Sequence, residues 1–444
     1  METLKTKALD FTKRIFVALP IIFLLWMVGG YSVNTLFWDD FEPIWNYISM
    51  RASGNIDWGV IAAFQNEHRM VIPRVIMLLV GAVTHWNTKV IVYISALLLC
   101  VAYCVIVRQS AGKKIADFKY YDVLYVLIIG FCLFSCCQYE NVLWSFQLAW
   151  ILIEFCAVMG LAAFSLYVKT GAKKHMYSVL LFGVIASFSS LHGLIIWPCY
   201  VILAIIYQIA EHKFDKKFWF YLVPVMLVTI AVYFIGYHHV YEHDMARATS
   251  VFQVIIFMIA NIGSVLSFFN LGIPMLFFGV VEIILSLTLF VMLLKNKQIK
   301  ENIFPLGLMI FGAGFAVVLA VGRGGWGVMV SRYMTFPLLI VIGNLVILRY
   351  FLMKQKTGKM ALFACFLFLA NNALSTSALY FYEVDHWYFD KSFRSVILKN
   401  YQLATDEQLL VLLYPHFTSR EDAMARIERV EKANLSVFYE EKEK

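Results

Sequence analysis

Charge is what this chain has least of. Lys, Arg, Asp and Glu together make up 15% of its 444 residues, whereas 61% are hydrophobic and 16% aromatic. A soluble domain carries about 25% charged residues, so a water-exposed globule of this size is excluded and lipid is the expected solvent. Nucleotide signatures are missing too: there is no Gly-x-Gly-x-x-Gly and no Walker loop, which removes the soluble nucleotide-site classes. No repeat of 20 to 50 residues is visible and no Gly/Ser linker sets off a second domain. A disulfide framework is also absent from the pattern. All eight cysteines (Cys100, Cys104, Cys132, Cys136, Cys137, Cys156, Cys199 and Cys365) fall within apolar runs, and no His or carboxylate joins the turn-spaced pairs Cys100/Cys104 and Cys132/Cys136. Buried free thiols are expected there, not a metal site.

What the chain has in abundance is apolar runs of 17 to 22 residues, from end to end. A helix needs about 20 residues to cross roughly 30 Å of hydrocarbon, and a membrane barrel would show alternating segments of about 10 instead. The expected fold is therefore all-α and integral to the membrane: a polytopic helical bundle of about eleven spans. They fall at 15–33, 88–107, 121–138, 147–168, 176–191, 194–210, 218–238, 273–294, 304–322, 335–352 and 359–378. The first run follows Lys5, Lys7, Lys13 and Arg14 as a signal peptide would, but Tyr31-Ser32-Val33-Asn34 offers no small-residue cleavage site, so it is expected to be retained.

The net charge of +8 points to topology and not to a nucleic-acid partner. Of the 37 basic residues, 21 lie in six short loops, at 5–14, 108–119, 169–174, 213–217, 295–300 and 349–359, which marks those loops as cytoplasmic. Eleven spans then put the N-terminus inside and the C-terminus outside. Two apolar stretches remain, Val71 to Val83 and Val251 to Phe269. Counting either alone as a span would turn the later lysine-rich loops outward, so both are expected as interfacial or re-entrant helices on the outer face, the earlier one with Pro73 in its first turn. The organisation expected is a transmembrane unit over 1–378, including the external loop 34–87, followed by an external helical tail over 379–444. Thr405 with Gln408, and Ser419 with Asp422, read as helix-capping pairs in that tail.

The external connections have a composition of their own. They hold Asp39, Asp40, Glu42, Asp57, Glu67, Glu140, Glu242 and Asp244, and before the tail their basic residues are Arg51, Arg69, Arg74, Arg247, Arg323 and Arg332, with Lys89 at a span end. Guanidinium grips carboxylate and phosphate in a fork, so arginine without lysine indicates recognition more than topology. Four constellations stand out. Trp38-Asp39-Asp40-Phe41-Glu42 crowds three carboxylates among aromatics, and crowding with burial raises proton affinity as a general base requires; the plain alternative is a solvated acidic loop. Asn66-Glu67-His68-Arg69 with Arg74 is the second, in which Glu67 and Arg74 would pair if both were helical. Glu140, in the turn Gln138-Tyr139-Glu140-Asn141 ahead of Trp144 and Gln147, would assist the acids or cap the next helix. Gly322-Arg323-Gly324-Gly325-Trp326-Gly327 with Ser331-Arg332-Tyr333 offers glycines whose N–H groups approach an anion and two arginines to hold a phosphate.

Taken together, these pieces resemble the GT-C superfamily of membrane glycosyltransferases, and within it the bacterial serotype-converting O-antigen glucosyltransferases of the Gtr family. The matching residues are Asp39-Asp40, Asn66-Glu67-His68-Arg69, Glu140-Asn141 with Trp144 and Phe146-Gln147, Gly193 with Trp197-Pro198, Gly322-Arg323 with Ser331-Arg332-Tyr333, and Leu435-Ser436-Val437-Phe438. The resemblance implies an inverting transfer of a sugar, glucose in the Gtr case, from a polyprenyl-phosphate donor to a lipid-linked or polymeric glycan such as lipopolysaccharide O-antigen, at the periplasmic face of a bacterial inner membrane. Asp39 or Asp40, with Glu42, would supply the base. Arg323 and Arg332 would hold the donor phosphate. Glu67, His68, Arg69, Arg74 and Glu140 would line the substrate site, and Trp38, Trp45 or Trp326 would offer a face to a sugar ring. Some members of the superfamily use a divalent metal such as Mg or Mn at their acids and others do not. Two other readings share the topology: a transporter or flippase of a lipid-linked sugar, for which Glu154 and Glu282 are mid-span acids, and an O-antigen polymerase.

Overall fold

The computed structural model describes the backbone of residues 2–112, 114–238, 245–267, 272–354, 358–414 and 416–440, and side chains from residue 11 onward. Glu242, Asp244, residues 268–269 of the second expected interfacial stretch and residues 441–444 of the tail lie outside the described residues. The helices are α1 (Glu2–Tyr31), α2 (Phe41–Ser53), α3 (Trp58–Ala62), α4 (Val71–Thr84), α5 (Thr88–Ala111), α6 (Tyr120–Leu133), α7 (Tyr139–Leu143), α8 (Leu148–Thr170), α9 (Lys173–Ser187), α10 (Ile196–Ala210), α11 (Lys216–Phe234), α12 (Val251–Ser264), α13 (Gly272–Lys295), α14 (Ile303–Arg323), α15 (Pro337–Lys354), α16 (Lys359–Leu379), α17 (Phe381–Lys399), α18 (Asp406–Leu413) and α19 (Arg420–Lys432). A two-residue hairpin, β1 (Phe64–Gln65) against β2 (His68–Arg69), is the sheet among the described residues. The apolar runs become helices because hydrocarbon gives a backbone N–H no partner except a carbonyl of its own helix.

Ten helical stretches are long and apolar enough to cross a membrane. The expected span at 176–191 is the exception. It forms α9, 15 residues long, about 22 Å at 1.5 Å per residue and short of the roughly 30 Å hydrocarbon layer. It leaves α8 through Gly171, whose φ is +66°, and continues as a 3-10 turn over Leu191–Ile195. That turn returns His192 to the start of α8, with its ring 4.7 Å from that of Trp150. Apolar composition runs on through the turn, so periodicity alone reads helix and turn as one span. The turn folds back closely enough that a side chain at Gly193 would meet the Ala186 carbonyl oxygen at 1.7 Å.

Both expected interfacial helices are present as shorter apolar helices, α4 and α12. Pro73 sits in the first turn of α4, where its missing N–H has no partner to lose. The segment ahead of α12 is tied to α14, with Ala248 N donating to Val321 O at 3.1 Å, and α12 itself reaches the connection that holds Arg332, with Asn261 Nδ2 donating to Tyr333 O at 3.0 Å.

The lysine-rich loops gather at one end of the bundle. Lys13 Nζ donates to Ala116 O at 3.2 Å, Arg349 reaches both Ser110 O and Asp122, Tyr167 donates to Asp215 at 2.7 Å, and Lys354 donates to Gln298 at 3.4 Å. The acid- and arginine-bearing connections form the other end, where a second hydrophobic core lies beyond the spans. It packs Leu36, Phe37, Phe41 and Ile44 against Ile397, Leu409, Leu413 and Ile427. The tail is thus one unit with the first external loop. One helix ends at Leu379 and the next begins at Phe381, with Tyr380 as the cap between them. The capping pairs form as expected: Gln408 N donates to Thr405 Oγ1 at 3.3 Å and Asp422 N to Ser419 Oγ at 3.2 Å.

Candidate active site

The first-loop acids follow directly on Trp38, whose φ of +52° is left-handed, a conformation that a bulky aromatic adopts only when its surroundings hold it. Its indole is indeed held: Trp38 Nε1 donates to Val411 O at 3.0 Å, and the ring packs against Trp144 and Tyr414. The three carboxylates then go to three different partners. Asp40 is buried, with Trp144 Nε1 donating to Oδ2 at 2.9 Å and Ser145 Oγ to Oδ1 at 2.6 Å. Glu42 accepts from Arg74 at 2.9 Å. Asp39, only partly buried, accepts from Gln65 Nε2 at 3.2 Å.

Burial pushes the Asp40 carboxyl up to about 7, against the pull of its hydrogen bonds to Ser145 and Trp144 and with a smaller push from Asp39. The fold therefore binds this proton more tightly than the unfolded chain does. The associated stability is fully present below the ordinary value of 3.8 and is lost as pH rises through about 7. Melting temperature should accordingly fall from pH 4 to pH 8 more steeply in the native chain than in Asp40→Asn, which has no proton to lose there; parallel curves would remove Asp40 as the source.

The hairpin joins this acidic turn to the arginines. Asn66, at φ +51°, makes the tight turn, and Gln65 pairs with His68 across it. Gln65 reaches Asp39, while Glu67 at the tip pairs with Arg323 at 2.7 Å. The His68 ring stands 5.3 Å from that of His192, which packs in turn on Trp150 and Phe315. Arg69 turns away, its backbone N–H donating to Tyr233 Oη at 3.1 Å and its guanidinium to Ile235 O. Arg74 is a scaffold residue, donating to the carbonyls of Val60, Ile61 and Ala63 besides Glu42. Glu67 and Arg74 do not pair, because Glu67 lies on the hairpin and not on the helix.

Glu140 neither joins the first-loop acids nor caps a helix. It accepts from the Arg332 guanidinium at 3.1 Å and the Arg332 backbone N–H at 2.9 Å, while Asn141 Nδ2 donates to Arg332 O at 2.8 Å. Burial works against the charge on Arg332, and Glu140, Tyr333 and Asp39 more than offset it, leaving its pKa above the ordinary value. Asp39 thus lies within the fields of both Glu42 and Arg332. The glycine string does not form an open anion cradle: Gly325 N donates to Ala246 O and Gly324 N to Ala320 O, both at 2.9 Å. Its glycines serve close backbone approach, since a side chain at Gly325 would meet Arg247 O at 2.3 Å. Trp326 is 52% exposed with the Arg323 guanidinium 5.4 Å over its ring, so it presents an aromatic face, whereas Trp38 is walled in by the second core.

Sequence reasoning passed over Gln65, Ser145, His192 and Lys391. Lys391 is buried, paired with Asp390 at 2.8 Å, and lies 3.5 Å over the Phe37 ring. Of these, His192 alone carried a signal, as a titratable residue in a short turn between apolar runs. Among the described residues no group of three or more His, Cys, Asp or Glu side chains gathers to hold a metal. The chain matches no protein-family model and no curated protein.

Proposed function

We propose that the protein is an inverting membrane glycosyltransferase that moves a sugar, glucose being the one expected, from a polyprenyl-phosphate donor to a cell-surface glycan such as lipopolysaccharide O-antigen. The observation that carries this reading is the placement of a partly buried carboxylate, Asp39, in the field of Arg332, with the hairpin connecting it to the Glu67–Arg323 pair. The positive-inside rule puts the lysine-rich end in the cytoplasm, and therefore this group on the periplasmic face of a bacterial inner membrane. Asp39 takes the proton of the acceptor hydroxyl as that oxygen bonds to the anomeric carbon from the face opposite the phosphate. The bond from the anomeric carbon to the phosphate oxygen breaks, and the leaving polyprenyl phosphate carries away the electron pair and the negative charge. Arg323 and Arg332 stabilise that charge; each has five donors and shares only part of them with Glu67 or Glu140. Asp40 acts through its hydrogen bonds to Trp144 and Ser145 and positions the turn on which Asp39 sits.

Purified protein given polyprenyl-phosphate glucose and an O-antigen acceptor should yield an acceptor heavier by one hexose, read by mass. Arg323→Ala should raise the donor KM roughly 10- to 100-fold, the worth of a charge-assisted hydrogen bond, with little change in melting temperature; an unchanged donor KM would remove Arg323 from the site. A carrier is the second reading. It rests on Glu154, buried with neither carboxylate oxygen hydrogen-bonded, and on Glu282, which accepts from Asn344 at 2.9 Å. Uptake of substrate into sealed vesicles, with no hexose transferred by the purified protein, would decide for it.

A further inference from the structure

We infer that the lysine-rich end carries a binding site for an anionic phospholipid, between the start of the α1 span and the end of α5. A cavity of about 750 Å³ lies there. Three cations line it, Arg14 from α1, Arg108 from α5 and Lys114 from the connection that follows, and among the described residues lining it there is no carboxylate. All three are exposed. Its remaining wall is mostly apolar and runs into the depth of the bundle. Ile21 lies seven residues beyond Arg14, about 10 Å deeper at 1.5 Å per residue, and Cys104 lies four residues before Arg108, about 6 Å deeper. The polar group that could interrupt this wall is committed, since Tyr103 Oη donates to Val17 O at 2.9 Å. A cluster of positive charge at one level, with an apolar trough descending from it beside a lipid-facing helix surface, matches a phosphodiester head group with an acyl chain attached. Cation-lined pockets among spanning helices are how such head groups are recognised. A free phosphate ion shares the head-group chemistry but leaves the trough unfilled.

The full-length protein, purified in detergent with phosphatidylglycerol and phosphatidylcholine in equal amount, is read by native mass spectrometry. Wild-type protein should retain phosphatidylglycerol at least about tenfold over phosphatidylcholine, since each cation near an anionic head group strengthens binding on the order of fivefold. Arg14→Gln/Arg108→Gln/Lys114→Gln should abolish that preference. Lys173→Gln/Lys174→Gln/Lys297→Gln, which removes three exposed lysines from the same end, should keep it. Ala18→Phe, which fills the trough without altering charge, should expel the lipid. Equal retention of the two lipids by wild-type protein overturns the proposal, and so does an equal loss in the control triple variant. Displacement of the lipid by millimolar inorganic phosphate would assign the cations to a free anion instead, and would also overturn it.

Discussion

Asp39→Asn should lower glycosyl transfer by about 10²- to 10⁴-fold, the usual contribution of a positioned general base, while leaving expression and melting temperature near those of the wild type. The expectation follows from geometry. Asp40 has both oxygens engaged by Trp144 and Ser145 within a buried turn, and Glu42 is held by Arg74. Asp39 and Glu42 are both partly exposed, but Glu42 is committed to the Arg74 guanidinium, whereas Asp39 accepts from the neutral amide of Gln65 and lies in the field of Arg332. Asn keeps the shape and an acceptor for Gln65 but cannot take a proton from the acceptor hydroxyl. Initial rates at saturating donor and acceptor are the measurement. Wild-type rates in Asp39→Asn would sink the assignment of the base, whereas a loss confined to Asp40→Asn together with a lowered melting temperature would shift the role to the buried acid.

At the opposite end of the bundle, Arg349→Met should destabilise the protein by about 3–5 kcal/mol, the cost of leaving a buried charge without its partner. Arg349 Nη2 lies 2.5 Å from Asp122 Oδ1, Nη1 donates to Ser110 O at 3.0 Å, and the guanidinium lies 4.4 Å over the Tyr125 ring. Asp122 is fully buried. The pair joins α6 to α15 where no water reaches the carboxylate. Adding Asp122→Leu to Arg349→Met should recover part of the loss, because an apolar pair leaves no unpaired buried charge, although it also removes the acceptor that Asp122 offers the Lys119 backbone N–H at the start of α6. Unfolding in detergent, followed by heat or denaturant, checks both; a single variant as stable as wild type would show that the pair contributes nothing net.

How much of this was legible beforehand depended on how local the signal was. Hydrophobic run length located ten of the eleven expected spans and missed only that α9 is too short, and it set α4 and α12 apart as shorter apolar helices. The Thr405–Gln408 cap was readable because both partners lie within one turn. The site was legible as a set of residues but not as a set of pairs. Glu67 and Arg323 are 256 positions apart, and Glu140 and Arg332 are 192 apart. No periodicity says which connection meets which, so the two arginines expected to hold a phosphate turned out each to be paired with an acid of a distant connection. The same limit hid Ser145 and Gln65, ordinary polar residues whose importance comes only from the carboxylate each faces.

The shared core of the first loop and the tail has a consequence for biosynthesis. Phe41 settles against residues such as Tyr401 and Leu409, which emerge some 360 positions later. At about 5–20 residues per second, that interval is roughly 20 to 70 seconds. Throughout it the acidic turn has Trp86 and Trp144 as partners but lacks the half of its core that the tail supplies. A nascent chain can insert every span and still leave this second core half-built, which closes only when the residues after α16 fold back onto the first loop.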